Sequence, residues 1–176
     1  FSIVIGNPPY INTKSGIQSE FKEYYKGEYN SALGQFDLFS LFIEQSLRHT
    51  KILSFIVPKP VINNENYEVV RKQLLKIGLQ SIVTGSHIFE NAGVESCIFI
   101  TNPSAETTRV EHFNMLSGFK YLFSVNPQNF NGLPFTIINS LLSPEEYPII
   151  HLTKTDAKEL GSIISILRGV ESGKND

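Results

Sequence analysis

The stretch ILSFIVPKPVINNENYEVVRKQLLKIGLQSIVT, residues 52–84, decides the fold. Its first six residues are apolar and rich in β-branched side chains, and two prolines follow, so they predict a strand over 52–57. Apolar residues then recur at helical spacing and predict an amphipathic helix from about Asn66 to Gly78, through Tyr67, Val70, Leu74 and Ile77. A second strand is predicted over 80–84. Strand, helix and strand in this order favour a right-handed crossover in a mostly parallel sheet.

The flanking segments extend the same alternation. Upstream, FSIVI at 1–5 predicts a fully buried strand, and the apolar segment from Asp37 to His49 predicts a buried helix. Asp37 is interpreted as the N-cap of that helix rather than as a cofactor ligand. The polar stretch 12–36 predicts a long mobile loop that can include a helical turn, and 97–101 predicts a further strand. The fold class is therefore α/β, with a ligand site beyond the carboxyl ends of the strands.

Composition excludes several classes of protein. The 176 residues suffice for one domain with a core, and the net charge of −2 argues against a highly basic nucleic-acid coat. The single cysteine, Cys97, lies in an apolar run, which excludes a disulfide framework and fits a reducing cytoplasm. No apolar run approaches the length of a membrane span. The chain begins with Phe1 and its one methionine is Met115, so we expect a fragment of a longer protein.

The most informative motif is Asn7-Pro8-Pro9-Tyr10, directly after the first predicted strand. The two prolines remove backbone donors, whereas the Asn7 amide oxygen and the Pro8 carbonyl remain as acceptors in a rigid loop. The ring of Tyr10 adds a surface on which a planar base can stack. The four residues therefore suit a planar base with an amino group, although a stiff turn that only closes the strand is the simpler alternative.

With its flanks, this motif resembles the amino-methyltransferases that use S-adenosylmethionine to methylate the exocyclic nitrogen of adenine in DNA, in their restriction-modification branch (types II and IIG, Eco57I- and TaqI-like). Five segments carry the resemblance: IGNPPYI at 5–11, DLFSLFIEQSL at 37–47, ILSFIVPKPVI at 52–62, YEVVRKQLL at 67–75 and HIFENAGVESCIFI at 87–100. The tail LGSIISILRGVESGKND, residues 160–176, is similar to the start of the target-recognition domain of that branch.

The resemblance implies an organisation for the chain. Residues 1–102 would form the carboxyl-terminal half of a Rossmann-like class I methyltransferase sheet, mostly parallel with one antiparallel strand. A change of texture after Asn102-Pro103 marks a boundary near 103–108, so residues 103–159 would connect this half to a target-recognition domain that starts at 160–176. Such a protein would act on double-stranded DNA in a bacterial or archaeal cytoplasm.

The resemblance also implies roles for single residues. Asn7 and Pro8 would accept hydrogen bonds from the target amine within the rigid loop that Pro9 completes, and Tyr10 would stack on the flipped adenine. Phe89 corresponds to the second stacking aromatic, with a plain core phenylalanine as the alternative. The four histidines have no partner at a metal or triad spacing, so no metal is expected: His49, His87, His112 and His151.

Other features of the sequence limit the prediction. No G-x-G occurs, so the main S-adenosylmethionine site is expected upstream of Phe1, and the chain alone is expected to be inactive. A methyltransferase for a protein glutamine, or for an RNA amino group, is an alternative enzyme. A DNA-binding or dimerising module without activity is the alternative from another class. The sequence leaves open the DNA recognition site, the oligomeric state and the presence of a nuclease domain.

Overall fold

The computed structural model describes residues 1–14, 16–85, 95–150, 158 and 162–164. In chain order its helices and strands are β1 (Val4–Gly6), α1 (Ser19–Glu28), α2 (Leu38–His49), β2 (Leu53–Pro58), α3 (Glu68–Ile77), β3 (Leu79–Gly85), β4 (Ser96–Thr101), β5 (Thr108–Asn114), β6 (Gly118–Val125) and the short α4 (Gln128–Asn131). Single turns of 3₁₀ helix cover Lys59–Ile62, Glu65–Tyr67 and Pro134–Thr136.

The strands form one six-stranded sheet in the order β1-β2-β4-β3-β5-β6. The pairs β1/β2 and β3/β5 are parallel, whereas β4 runs antiparallel to both of its neighbours and β6 runs antiparallel to β5. Four strands therefore point one way and two point the other. The predicted fold class, a mostly parallel α/β sheet with one antiparallel strand before residue 102, is confirmed.

The core lies between the sheet and the segments that pack on it. Helix α2 contacts β2 and α3, and α3 contacts β3. Buried apolar side chains from the sheet, from α2 and α3, and from residues 130–147 form one cluster, which includes Phe39, Leu53, Val70, Leu74, Phe99, Val110, Phe130, Ile138 and Tyr147. Within the described part of the chain, no helix has both the length and the apolar character needed to span a bilayer.

Two predictions near the amino end are wrong in detail. Residues 12–36 are not a continuous loop, because α1 occupies ten of them. No residue of α1 is buried, so the sequence has no apolar stripe from which this helix could be predicted. The strand predicted over 1–5 is the three-residue edge strand β1, and it is not fully buried. The side chains of Phe1, Ile3 and Ile5 are 90%, 56% and 78% exposed.

The sheet continues past the boundary expected near residues 103–108. Strand β5 pairs with β3 in parallel, and β6 completes a hairpin with β5, so the connecting region predicted for 103–159 begins with two strands of the sheet itself. The chain then returns over the core through α4, and the Ile138 N–H donates to the Ile62 carbonyl at 2.8 Å. Most of the tail over 160–176 lies outside the described residues.

Candidate active site

The Asn7-Pro8-Pro9-Tyr10 loop leaves the sheet directly after the carboxyl end of β1. The parallel pairing of β1 with β2 brings the end of β2 to the same edge. Gly6 permits this packing, because a Cβ there would lie 3.1 Å from the Phe55 ring. Asn7 therefore lies at the strand end where ligands of α/β sheets bind, as the sequence predicts.

Asn7 and Pro8 differ in exposure. Pro8 is buried, which anchors the loop, whereas Asn7 is exposed. Among the residues that the structure describes, no hydrogen bond engages the Asn7 side-chain amide or the Pro8 carbonyl. The backbone of the loop is therefore anchored at Pro8, and both acceptors remain available to a ligand.

Tyr10 is fixed at both ends of its side chain. Its hydroxyl donates to the Ile56 carbonyl at 3.0 Å, and its ring meets the Phe39 ring edge-on, with centroids 6.3 Å apart. Burial raises the pKa of Tyr10, an effect that the neighbouring Ser96 hydroxyl partly opposes. The side chain is still 37% exposed, so a neutral, oriented ring remains accessible beside Asn7.

A second layer of aromatic and acidic side chains supports Tyr10. The Phe39 ring lies 5.1 Å from the Tyr67 ring, and the Tyr67 hydroxyl donates to the Asp37 carboxylate. Burial, together with the hydrogen bond and charge of Asp37, raises the pKa of Tyr67. Sequence reasoning counted Tyr67 only as an apolar position of a helix and missed this role.

Asp37 occupies the N-cap position of α2, as predicted, but its side chain makes no capping hydrogen bond. Its carboxylate accepts the Tyr67 hydroxyl instead, and the Ser40 hydroxyl donates to the Asp37 backbone carbonyl at 2.7 Å. An acidic residue that holds the ribose of a nucleotide needs a free carboxylate. The contact with Tyr67 thus agrees with a structural role for Asp37.

The carboxyl end of β2 and the start of β4 close the same edge of the sheet. The Lys59 ammonium lies 2.7 Å from the Glu95 carboxylate, and the Lys59 N–H donates to the Glu95 carbonyl at 2.8 Å. Cys97 follows on β4; burial raises its pKa to about 12, so its thiol is not a nucleophile. Phe89 and His87 belong to residues 86–94, outside the described residues, and the role of Phe89 stays a prediction.

The described residues hold no group of three or more His, Cys, Asp or Glu side chains arranged for a metal ion. His49 lies at the end of α2, where its Nε2 is 3.3 Å from the Gln45 amide nitrogen. His112 lies on β5, opposite Thr84 of β3. His151, like His87, is outside the described residues.

Arg71 is a fully buried cation that sequence reasoning did not select. Its guanidinium donates to four backbone carbonyls, those of Val61, Asn64, Phe135 and Thr136, at 2.6–3.3 Å. Burial lowers its pKa to about 10, so it remains charged at neutral pH. Arg71 thus joins the loop after β2 to the segment that follows β6. The sequence signal was an arginine on the predicted core-facing side of α3, next to Val70.

The sheet and the loop at the end of β1 define the class of protein: an α/β domain with two hydrogen-bond acceptors at the carboxyl edge of its sheet, where ligands of such folds bind. A family model described as "Eco57I restriction-modification methylase" matches residues 1–89, just over half of the chain. The chain therefore belongs to the Eco57I restriction-modification methylase family.

Curated relatives agree with this assignment. The chain is 29% identical over 192 residues to the type II restriction enzyme and methyltransferase RM.Eco57I of Escherichia coli, a match that covers 99% of the chain and 19% of that protein. It is also 29% identical over 112 residues to the modification methylase CviBIII of Paramecium bursaria Chlorella virus NC1A, covering 61% of the chain and 28% of that protein. The chain thus spans less than a third of the length of either relative.

Two solved structures share the fold. The type IIG restriction endonuclease BpuSI superposes with a TM-score of 0.50 at 21% identity and covers 64% of the chain and 15% of BpuSI. The type IIL restriction-modification enzyme MmeI, solved in complex with DNA, superposes with a TM-score of 0.50 at 19% identity and covers 69% of the chain and 18% of MmeI. Both likenesses support the α/β fold class.

Proposed function

We propose that this chain is part of an enzyme that transfers a methyl group from S-adenosylmethionine to the exocyclic amino group of an adenine flipped out of duplex DNA. The observation that carries the proposal is the exposed Asn7 amide, with no partner in the described part of the chain, directly after β1 and three residues before an oriented Tyr10 ring. Membership of a restriction-modification methylase family supports DNA as the substrate and a cytoplasmic location.

In this proposal the chain binds and polarises the target amine. The Asn7 side-chain oxygen and the Pro8 carbonyl each accept one amine hydrogen, which draws the nitrogen lone pair out of conjugation with the ring. The nitrogen lone pair can then form a bond to the methyl carbon that S-adenosylmethionine would supply, while the bond from that carbon to sulfur breaks. Positive charge develops on the nitrogen close to the two acceptors, and the methylated amine then releases one proton. Pro8 is buried, so its carbonyl keeps its place during the reaction, and the bond to the amine would orient the exposed Asn7 side chain.

Stacking fixes the base while the amine reacts. The Tyr10 ring stacks on one face of the base, and the Phe89 ring is proposed to stack on the opposite face. The hydroxyl bond from Tyr10 to Ile56 and the edge contact with Phe39 leave this ring little freedom to rotate. Base stacking on an aromatic side chain contributes about 1–3 kcal/mol.

The described residues do not fit a complete S-adenosylmethionine site. The sequence has no G-x-G turn, and the Asp37 carboxylate is engaged by Tyr67. S-adenosylmethionine would supply the methyl group, and we place its main binding site in a part of the protein upstream of Phe1. We accordingly propose that the chain by itself does not catalyse methyl transfer.

The test is methyl transfer to duplex DNA by the full-length protein, followed by digestion to nucleosides to identify the methylated base. Asn7→Ala should reduce the methylation rate far more than DNA affinity, because its bond strengthens as charge develops. Asn7→Asp should retain some activity, since an acceptor survives. The matched control is Asn131→Ala, an exposed asparagine of α4, which should methylate at the wild-type rate.

Stacking is tested in the same assay. Tyr10→Ala and Phe89→Ala should each weaken binding of the flipped base, whereas Tyr10→Phe should keep the ring and most of the activity. N6-methyladenine in the product would support the proposal. Wild-type activity of Asn7→Ala, or methyl groups found only in RNA or in protein glutamine, would overturn it.

A further inference from the structure

Three lysines converge on one groove beside the candidate active site. The groove has a volume of about 340 Å³ and is lined by Thr13, Lys14, Lys22, Lys26, Gly34, Gln35 and Phe36. Lys14 comes from the loop that continues from Tyr10, and Lys22 and Lys26 come from α1. Among the described residues no Asp or Glu lines the groove, so its three charged lining residues are all lysines, although the ammonium of Lys26 also pairs with Glu23.

The charges of α1 are separated around the helix. At 100° per residue, Lys22 and Lys26 lie about 40° apart on one side, while Glu20 and Glu28 lie roughly 140° away from their midpoint. Glu23 pairs with Lys26 at 2.7 Å, but both side chains are exposed, so the pair is weak and easily exchanged. Lys22 is only partly exposed, and in the described part of the chain it has no ion-pair partner.

A groove of this kind stabilises an anion. Mutual repulsion of the three ammonium groups is relieved when an oxyanion lies between them, and Lys binds phosphate well as a point charge. The cavity is within the size range of ligand-binding clefts. The Thr13 hydroxyl and the Gln35 amide on its wall can add neutral hydrogen bonds.

The position of the groove indicates which anion it takes. Lys14 follows Tyr10 by four residues, so their Cα atoms are at most about 14 Å apart. The groove also borders the segment that enters α2, since Thr13 and Phe36 both line it and the Thr13 N–H donates to the Phe36 carbonyl at 3.1 Å. Successive phosphates of a strand advance by about 3.4 Å, so a distance of at most about 14 Å puts the groove within reach of the first four or so phosphates beyond a base that stacks on Tyr10.

We propose that Lys14, Lys22 and Lys26 form a subsite for the phosphodiester backbone of the DNA strand that carries the target adenine. The inference rests on the proposed function. Contacts to phosphate carry no sequence information, but they set the register of a strand on the protein. The lysine groove would therefore hold the strand so that the flipped base reaches Tyr10 and Asn7.

The test compares two double variants of the full-length protein with the same spacing and the same change of charge. Lys22→Gln/Lys26→Gln alters the groove. Lys72→Gln/Lys76→Gln is the control: it alters α3 near the amino end of β3, at the opposite edge of the sheet, and it likewise contains one lysine with an (i, i+4) or (i, i+3) glutamate partner. The affinity for random-sequence duplex DNA is measured between about 50 and 200 mM salt.

For Lys22→Gln/Lys26→Gln the slope of log affinity against log salt concentration should become shallower by about 1–2, since each lost phosphate contact accounts for about 0.9. The control should keep the wild-type slope, and thermal melting should show that both variants are folded. Adding Lys14→Gln should reduce the slope further. The same slope for all variants, or equal losses in both double variants, would overturn the subsite.

These outcomes are separate from those of the proposed function. If wild-type protein methylates adenine in DNA and Asn7→Ala does not, while Lys22→Gln/Lys26→Gln binds DNA as wild type, then only the lysine subsite fails. If wild-type protein transfers no methyl group to DNA, the proposed function fails whatever the salt dependence shows.

Discussion

The Tyr67 hydroxyl donates a hydrogen bond to the Asp37 carboxylate across 30 residues of sequence. Asp37 begins α2 and Tyr67 ends the turn before α3, so this contact fixes the two helices beside the carboxyl end of β1. Phe39 packs against Tyr67 on one side and Tyr10 on the other. The orientation of the motif tyrosine thus depends on a polar contact that lies behind it.

Tyr67→Phe should therefore cost about 1–3 kcal/mol of unfolding free energy, because it removes the hydroxyl that donates to the carboxylate of Asp37, a buried residue that is only 8% exposed. The control is Tyr24→Phe, at a side chain that is 61% exposed, where we expect a change within about 0.5 kcal/mol. Urea denaturation measures both. Equal effects of the two substitutions would show that the Tyr67–Asp37 contact does not stabilise the fold.

Glu44 gives a prediction for pH dependence. Burial alone would raise the pKa of this carboxyl, but hydrogen bonds from Ser31 and Asn30 outweigh it and hold the pKa below its ordinary value. The carboxylate accepts the Ser31 N–H at 2.8 Å and the Asn30 N–H at 3.1 Å. A carboxyl with a lowered folded pKa stabilises the protein above its unfolded pKa, near 4.3, and that stabilisation is lost as the pH falls through the folded value.

Glu44→Gln should accordingly lower stability at pH 7 by about 1–3 kcal/mol. The two carboxylate oxygens face two backbone N–H groups, so in either orientation the glutamine NH₂ would face one of these donors and lose that hydrogen bond. Between about pH 5 and 3 the difference from wild type should shrink, because protonation removes the advantage of the carboxylate. The control is Glu23→Gln, whose side chain is 75% exposed. A constant difference between wild type and Glu44→Gln across this range would contradict the prediction.

The parts of the fold that sequence predicted are those whose signal is local. Strands β2, β3 and β4 are apolar runs, and α3 has an apolar stripe that ends at Gly78, so their positions agree with the prediction within one or two residues. Helix α1 and strand β6 lack such signals. Helix α1 buries no side chain, and the outer strand β6 is exposed over half of its length.

The candidate site likewise has a part that the sequence predicts and a part that it does not. The Asn7 to Tyr10 motif is contiguous and follows a strand, so its location was predictable from residue order alone. The contacts that support it are not contiguous: Tyr10 reaches Ile56 across 46 residues, and Arg71 reaches Phe135 across 64. Such pairs depend on which helices and loops become neighbours, and residue order does not specify that.

Arg71→Met should destabilise the fold by more than about 3 kcal/mol, because four carbonyls lose a charged donor in a buried site. Arg71→Lys should recover only part of this loss, since a single ammonium group cannot donate to the Val61 carbonyl and the Phe135 carbonyl at once, as the two arms of the guanidinium do. Arg109→Met is the control, at an arginine whose side chain is 53% exposed. Thermal melting ranks the three variants. If Arg71→Met leaves the stability unchanged, the hydrogen bonds of Arg71 to the four carbonyls do not stabilise the fold.

A glycine is needed where φ is positive or where a Cβ would clash, and three glycines of this chain differ in these two properties. Gly78 has a φ of +116°, and a Cβ there would lie 2.3 Å from the Asn102 carbonyl oxygen, so Gly78→Ala combines backbone strain with a clash against backbone. Gly34 has a φ of +60° with open space around it, so Gly34→Ala meets strain alone. Gly27 lies in α1 with nothing near its Cβ position and no positive φ.

We expect Gly27→Ala to stabilise by about 0.5–1 kcal/mol, Gly34→Ala to cost about 1 kcal/mol, and Gly78→Ala to cost clearly more. Denaturant unfolding of the three variants measures the order, and a Gly78→Ala variant no less stable than Gly34→Ala would show that the Gly78–Asn102 approach can relax.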